Sequence, residues 1–488
     1  MCRNPRKGGR RMKAPFSSYL TGIAPSLKSL ISELRKDFEY VSVLATDSTG
    51  FSVQISQRVK RVSTETMMTE RGIVLRMYRG GAYSEYALNE WDPDRVLETA
   101  REVRESVDAQ LRILEEAGDQ VYDTPCLPDE PAEVFAEMET GRLPETEDIP
   151  ALISRLSALS DLAMEKGRDM LDAVVRAQST HVCKMFLSAN RDLRQSYVYS
   201  EGSLLAMVSR DGRTVYDHAA VSGRQGPEIF DGLEGKLDGC LKVTEDLLGA
   251  GHVEPGMWDV ITSPEVSGLI AHEAFGHGVE MDMFVKNRAL GQAYIGRRVG
   301  SDLVTMHEGA LCTENVASYA FDDEGTLAGD VTEIDRGILK TGICDALSAL
   351  RLGTEPTGNG KRQNFEHKVY TRMTNTLFSE GSDTLEDMVK SIRHGYLLCG
   401  MDSGMEDPKH WGIQCIISRG YEIRDGKLTG HVVAPVIMTG YVPDLLNSVS
   451  MVSGGVEVFG SGGCGKGHKE WVKVSDGGPY MKAKARLG

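Results

Sequence analysis

The sequence of 488 residues contains no pair of cysteines close enough to form a CxxC motif. Its nine cysteines are never closer together than 16 residues, which excludes zinc ribbons and thioredoxin-like redox sites. An odd number of widely scattered cysteines, without an apparent export signal, is typical of reduced thiols in a cytoplasm. We therefore expect a cytoplasmic protein.

Long apolar runs and an excess of positive charge are also missing. No uninterrupted apolar stretch approaches the roughly 20 residues that a membrane-spanning helix needs, so we expect no membrane association. Residues 14–488 contain 49 bases and 71 acids, a formal charge of −22. Because such a body repels phosphate backbones, we expect no nucleic-acid partner.

The first 13 residues differ from the rest, since they contain six bases and no acid. No apolar stretch of 7–15 residues follows them, so they do not form a complete signal peptide. We expect residues 1–13 to be a basic tail. Met12 is an equally good candidate for the true initiator, in which case residues 1–11 are not native.

The remaining composition, 41% hydrophobic and 26% charged, is that of an ordinary globular protein, and the length suggests two or three domains. The glycine-rich segment 249–256 is the best boundary, giving domains 14–248 and 249–488. Helices and hairpins are segregated rather than alternating, which favours an α+β fold. We expect an N-terminal domain of strands and helices, then a glycine-rich, mainly antiparallel β domain that carries one further helix beginning at Ser263.

Hydrophobic periodicity predicts the individual elements. Strands are expected within 40–88 and at 182–187, 196–200 and 204–209. Turn residues predict hairpins at 211–212, 323–325 and 425–426. Helices are expected at 26–36, 92–118, 150–178 and 384–396.

The sharpest local signal lies in residues 263–278. Ser263 is a helix N-cap and Pro264 occupies the first helical position. Further along the same helix are His272, Glu273 and His277. Two imidazoles and an adjacent carboxylate are what a catalytic zinc site needs, because the nitrogens bind the metal and the carboxylate serves as a general base.

The spacing of this motif is HExxxH rather than HExxH. Five residues in an α-helix leave the two imidazoles roughly 140° apart around the axis. They converge only through a π-bulge, or if the helix ends before the second histidine. Gly276 and Gly278 make such an ending easy.

Two histidines require a third ligand. Glu280 lies just beyond the motif, while Cys464 lies far along the chain in the glycine-rich segment 459–468. A thiolate beside a lysine in such a loop suits zinc. A cysteine hydrolase with Cys464 as nucleophile and His468 as base stays open as an alternative.

Five segments carry a family resemblance. In order they are HEAFGHGVEMD at 272–282, AFDDEG at 320–325, PTGNG at 356–360, RMTNT at 372–376 and GCGKG at 463–467. Together they resemble the TldD/PmbA family from about residue 250 to 467.

The resemblance implies a zinc metallopeptidase of the TldD type that acts on peptides and unfolded segments. It implies zinc ligands at His272, His277 and Cys464, and a general base at Glu273. It also implies a homodimer, or a heterodimer with a sister subunit lacking HExxxH. The family's older label, modulator of DNA gyrase, fits poorly with the acidic body.

The resemblance leaves two features without a role. His468 is a departure from the pattern and could compete as a ligand, and no oxyanion stabiliser is identified among His367, Tyr370 and Arg372. We predict a cytoplasmic zinc peptidase with Glu273 as base. The alternatives are a non-catalytic peptide-binding subunit with structural zinc and a hydrolase dependent on Cys464.

Overall fold

The structure is a computed structural model that describes residues 11–117, 123–467 and 470–488. The helices of these residues are α1 Ser18–Leu34, α2 Val96–Ala117, α3 Ile149–Lys166, α4 Leu237–Leu248, α5 Pro264–Leu269, α6 Asp282–Val285, α7 Ala346–Leu352, α8 Leu385–Lys390 and α9 Val442–Asn447. The strands before residue 249 are β1 Met12–Lys13, β2 Tyr40–Ile55, β3 Lys60–Ser63, β4 Glu70–Arg79, β5 Ala82–Leu88, β6 Ala132–Glu137, β7 Glu139–Thr140, β8 Met170–Leu187, β9 Arg191–Arg210 and β10 Arg213–Gly223.

The later strands are shorter. They are β11 Gly256–Thr262, β12 Met306–Glu308, β13 Val331–Asp335, β14 Ile338–Leu339, β15 Gly360–Lys361, β16 Tyr370–Thr371, β17 Asn375–Phe378, β18 His394–Asp407, β19 Gly412–Arg424, β20 Lys427–Val433, β21 Val436–Tyr441, β22 Met451–Val452, β23 Glu457–Phe459, β24 Gly463–Lys466, β25 Glu470–Lys473, β26 Ser475–Gly478 and β27 Met481–Leu487.

The first half is built on one eight-stranded sheet. Its order is β10-β9-β8-β2-β4-β5, with β3 paired to β2 and β6 paired to β9. Only the β6–β9 pair of this sheet is parallel. Helices α1 and α2 pack on one half of a face, and α3 and α4 pack on the other half. Because side chains alternate between the two faces of a strand, the opposite face is left for the second half of the chain.

The second half contains two larger sheets. In the first, β11 pairs with both β18 and β27, so the path β11-β18-β19-β21-β27 returns to β11 and closes. In the second, the order is β14-β13-β12-β17-β26-β23. Helix α5 packs between β18 of the closed sheet and β26 of the other. The largest apolar core of the described residues surrounds this helix.

Buried ion pairs join the two halves. Lys184 on β8 pairs with Asp323, and Arg76 on β4 pairs with Glu324. Both acids come from the turn at 321–327, so this segment is fixed against the face of the first sheet that α1–α4 leave free. Across the same boundary, Arg362 Nη2 lies 3.1 Å from Glu85 Oε1.

Three predicted helix boundaries are wrong. Helix α1 begins at Ser18 rather than 26, because the Ser17 side chain accepts a hydrogen bond from Leu20 N and caps it. The helix predicted at 150–178 ends at Lys166, and residues 170–178 belong to β8, whose side chains alternate between buried and exposed. The helix predicted at 384–396 ends at Lys390, because residues 394–396 join the closed sheet as part of β18.

Several local predictions are confirmed. Asp92 caps a helical turn that continues into α2, whose predicted stop at Gly118 lies outside the described residues. The turns at 211–212 and 425–426 connect paired strands, and all four residues have positive φ. The turn at 323–325 closes only a single bridge between Phe321 and Leu327 instead of a hairpin.

The prediction of a mixed fold of helices and mainly antiparallel sheets is confirmed. The division into domains at 249–256 stays a prediction. Within the described residues, no helix has the combined length and apolar character needed to cross a bilayer.

Candidate metal centre

The HExxxH segment lies on a helix that changes from α-helical to π-helical geometry. Ser263 Oγ accepts a hydrogen bond from Val266 N and caps α5, and Pro264 occupies its first turn, as the sequence indicates. Residues 270–276 are then π-helical, and His277 begins a 3₁₀ turn. A π-helix bonds residue i to i+5, which brings His272 and His277 to the same side. Their ring centroids lie 5.2 Å apart.

Gly276 is packed too closely for any side chain. A Cβ at this position would lie 2.2 Å from Met373 Sδ and 3.1 Å from the Ala271 carbonyl oxygen. The glycine therefore allows the wide turn to pack against the connection between β16 and β17, which contains Met373. Both routes to convergence expected from the sequence, a π-bulge and a change of helix at the second histidine, are present.

Cys464 lies beside the two histidines although it comes 187 residues after His277 in the chain. It lies on β24, opposite Val472 of β25, and is 6% exposed. Arg372 fixes this hairpin, since its Nη2 donates to the Cys464 carbonyl at 2.7 Å and its Nη1 donates to the Glu470 carbonyl at 2.8 Å. Cys464 Sγ lies 3.4 Å from His277 Nε2, and one potential ligand atom from each of the three residues lies within 4.8 Å of the others.

This donor set fits zinc. With Zn–N of about 2.1 Å and Zn–S of about 2.3 Å, two ligands of a tetrahedral site are roughly 3.5 Å apart, close to the distance from Cys464 to His277. His272 Nδ1 is buried and has no hydrogen-bond partner among the described residues, although buried polar atoms are normally satisfied.

The three side chains also shift one another's protonation. Burial raises the pKa of the Cys464 thiol, but the neighbouring His272 and His277 lower it well below its usual value. Burial lowers the pKa of His272, while the charge of Cys464 raises it to about 9. Cys464 therefore favours the thiolate, the form in which cysteine binds metals.

Glu280, the alternative third ligand, lies behind His277 rather than beside Cys464. Its Oε2 is 3.2 Å from His277 Nδ1, the nitrogen that faces away from the thiol, and 3.0 Å from Lys466 Nζ. Burial raises the pKa of Glu280, but Lys466 and His277 lower it well below its usual value. A carboxylate on the far nitrogen fixes the orientation of an imidazole and raises its basicity as a ligand.

Glu273 lines a cavity of about 1110 Å³ together with the three potential ligands. Its Oε2 lies 3.9 Å from His277 Nε2. Burial raises the pKa of Glu273, and His272 and His277 oppose that rise. Behind it, Gly404 of β18 packs so closely that a Cβ there would lie 2.7 Å from Glu273 Cγ.

The three candidate oxyanion stabilisers have different surroundings. Arg372 is 1% exposed and bonded to the β24–β25 backbone, and His367 Nδ1 lies 2.6 Å from Asn364 Oδ1 outside the cavity lining. Tyr370 lines the cavity. His468 lies outside the described residues, so its competition as a ligand and its role as a base stay predictions.

Sequence reasoning missed Gly404, which limits the space around Glu273, and Glu406, which lines the same cavity. Both carboxylate oxygens of Glu406 are buried and have no hydrogen-bond partner in the part of the chain that the structure describes. Neither residue has a local signal in the sequence. Both reach the centre because β18 runs alongside the π-helical segment.

Comparison with known proteins adds a family to these observations. Residues 255–485 match the model of the PmbA/TldA metallopeptidase C-terminal domain. The chain is 25% identical to a metalloprotease of Synechocystis over 95% of this chain and 97% of that one. The second half of the chain is similar to the TldD/PmbA metallopeptidases.

Two further matches extend the comparison. A zinc metalloprotease TldD homolog of Saccharolobus solfataricus is 28% identical over 61% of this chain and 67% of its own. A crystal structure of a candidate modulator of a DNA gyrase from Thermotoga maritima superposes with a TM-score of 0.75. That superposition covers 96% of this chain and 100% of the other at 16% identity, which shows a shared fold.

Proposed function

We propose that this protein is a zinc-dependent peptidase of the TldD type that hydrolyses peptides or unfolded segments. The observation that carries the proposal is the convergence of His272, His277 and Cys464 beside the Glu273 carboxylate in one cavity. The metalloprotease names of its relatives support the same class of activity.

The three converging residues would hold zinc, with Glu280 orienting His277 from behind. Zinc, when bound, supplies a Lewis acid that polarises the scissile carbonyl and lowers the pKa of water. Glu273 accepts the proton of the attacking water and passes it to the leaving amine. Its position over the cavity, within 3.9 Å of His277 Nε2, suits this transfer.

The substrate binds chiefly through its main chain, because unfolded segments share a backbone rather than a sequence. Residues 401–407 of β18 pair only with β19 among the described residues, since β11 pairs with β18 at residues 395–398. Residues 401–406 also line the cavity beside Glu273. An extended peptide can therefore add to this strand next to the candidate centre.

The protein works in the cytoplasm as a dimer, with itself or with a sister subunit lacking HExxxH. Both a homodimer and a heterodimer shield the strand edges that receive the peptide. Enclosing the cavity in this way restricts entry to unfolded chains, while nucleic acid and membranes are not partners.

Metal analysis combined with peptidase assays tests the proposal. We expect one zinc per chain, hydrolysis of an unfolded casein-type substrate, loss of activity after chelation and its return when zinc is added. Activity that survives complete zinc removal and is blocked by thiol alkylation would instead support the Cys464 hydrolase. Bound zinc without hydrolysis would support a structural metal in a peptide-binding subunit.

A further inference from the structure

One end of the large cavity carries positive charge that the chain does not neutralise. This is unusual for a protein whose formal net charge is −16. The opposite part of the wall contains Glu265 and Asp402. The four basic residues at the positive end are Lys286, Arg288, Lys368 and Lys466.

The acids near this end already have partners. Asp282 is shared, with Oδ1 2.7 Å from Lys466 Nζ and Oδ2 3.2 Å from Lys286 Nζ. Glu280 contacts Lys466 and His277. Lys368 and Arg288 have no carboxylate within 4 Å in the described part of the chain, so positive charge remains in excess.

Two of these cations converge on one aromatic ring. The Nζ atoms of Lys368 and Lys286 lie 4.5 Å and 5.9 Å from the Tyr370 ring centroid. Bringing two ammonium groups together is unfavourable unless an anion offsets their repulsion. Asp282 contacts Lys286 but is shared with Lys466, and Lys368 contacts no carboxylate of the described residues.

The same three residues, Lys286, Lys368 and Tyr370, also line a second cavity of about 410 Å³. They therefore stand where the large cavity meets the smaller one. An extended chain that passes from Glu273 into the smaller cavity runs past Tyr370 and the two ammonium groups.

We propose that Lys286, Lys368 and Tyr370 form a subsite for a carboxylate of the peptide substrate, an inference that rests on the proposed peptidase function. The carboxylate is that of an acidic side chain or of the peptide C-terminus, which share one chemistry. It accepts charge-assisted hydrogen bonds from the two ammonium groups. The subsite thereby selects which substrates bind and in which direction they lie.

A matched peptide series tests the subsite. Peptides of one sequence carry either Glu or Gln at successive positions, and end in a free carboxylate or an amide. We measure kcat/KM with the zinc-loaded enzyme and, separately, affinity for the Glu273→Gln variant by fluorescence anisotropy. The carboxylate form at the responsive position is expected to be favoured by about threefold to tenfold, an advantage that shrinks in high salt.

Variants assign the preference to residues. Lys368→Gln and Lys286→Gln are expected to bring the carboxylate-to-amide ratio towards one, whereas Lys427→Gln, an exposed lysine lining neither cavity, keeps the wild-type ratio. A preference for Glu identifies a side-chain subsite, and a preference for the free terminus identifies a C-terminal one.

Equal affinity and equal kcat/KM for charged and neutral peptides would overturn the subsite and leave the peptidase function standing. Failure to hydrolyse any peptide would count against the peptidase function. The anisotropy measurement would still decide the subsite in that case, because it requires binding and no hydrolysis.

Discussion

At the residue scale, the tasks proposed for Glu273 and for the potential ligands can be tested separately. Glu273→Gln keeps the size and hydrogen-bonding reach of the side chain but removes its ability to accept a proton. We expect this variant to retain zinc and peptide binding while turnover falls by roughly 10²–10⁴-fold. Metal analysis, peptide anisotropy and kcat measurement check the result.

The matched control is Glu386→Gln on α8, an exposed glutamate paired with Lys390, which should retain normal turnover. Loss of zinc in Glu273→Gln would identify Glu273 as a ligand. Near-normal turnover with zinc retained would show that hydrolysis does not depend on Glu273 of the HExxxH motif. Cys464 would then be the candidate nucleophile.

Cys464 provides the second prediction at this scale. The residue lies 187 positions after His277, so their site exists only when the chain is folded. Cys464→Ser replaces a thiolate with a neutral hydroxyl, a poor zinc ligand. We expect the variant to lose zinc as well as activity, measured by metal content after desalting.

The control variant is Cys126→Ser, which changes an exposed cysteine outside the candidate centre. We expect it to retain zinc. Full zinc occupancy in Cys464→Ser would remove Cys464 from the ligand set. The search for a third ligand would then return to Glu280 and His468.

At the element scale, β18 limits where Glu273 can point. A Cβ at Gly404 would lie 2.7 Å from Glu273 Cγ and 2.8 Å from its Cβ. Gly404→Ala should therefore displace the carboxylate while leaving the potential ligands in place. A displacement near 1 Å costs up to about 10²-fold in rate, so we expect kcat to fall by about 10- to 100-fold with zinc retained.

Gly412→Ala on the neighbouring β19 is the control, because a Cβ there meets no atom within 4 Å. Circular dichroism and zinc content confirm that both variants fold. Equal activity of the two variants would show that β18 does not position Glu273.

At the scale of the whole molecule, we expect a dimer that encloses the cavity. The edge strand β10 of the first sheet contributes Tyr216 and His218 to the same cavity that β18 lines, and Tyr216 is 51% exposed. A partner over this opening would admit extended chains and exclude folded ones. Multi-angle light scattering, with and without candidate sister subunits, measures the assembly; a monodisperse monomer that cleaves peptides at full rate would contradict it.

The sequence predicts local structure correctly where a short segment determines its own conformation. Asp92 capping a helical turn, the paired turns at 211–212 and 425–426, and the Ser263 cap all depend on neighbouring residues. The predictions are wrong where strand pairing between distant segments competes with the local conformational preference. Residues 170–178 fit a helical pattern by themselves, but pairing with β2 and β9 makes them a strand.

By itself the sequence determined the family resemblance and the motif residues His272, Glu273 and His277, because these residues lie within six consecutive positions after the Ser263 cap. It also indicated Cys464, through its glycine-rich surroundings and the resemblance. Only the tertiary structure decided that β24 lies against the π-helical turn, that Glu280 stands behind His277, and that Gly404 confines Glu273. Two of these contacts join segments more than a hundred residues apart, and the third places Glu280 on the side of His277 that faces away from Cys464. No local spacing specifies them, because they depend on how the sheets of the second half pack around the helix.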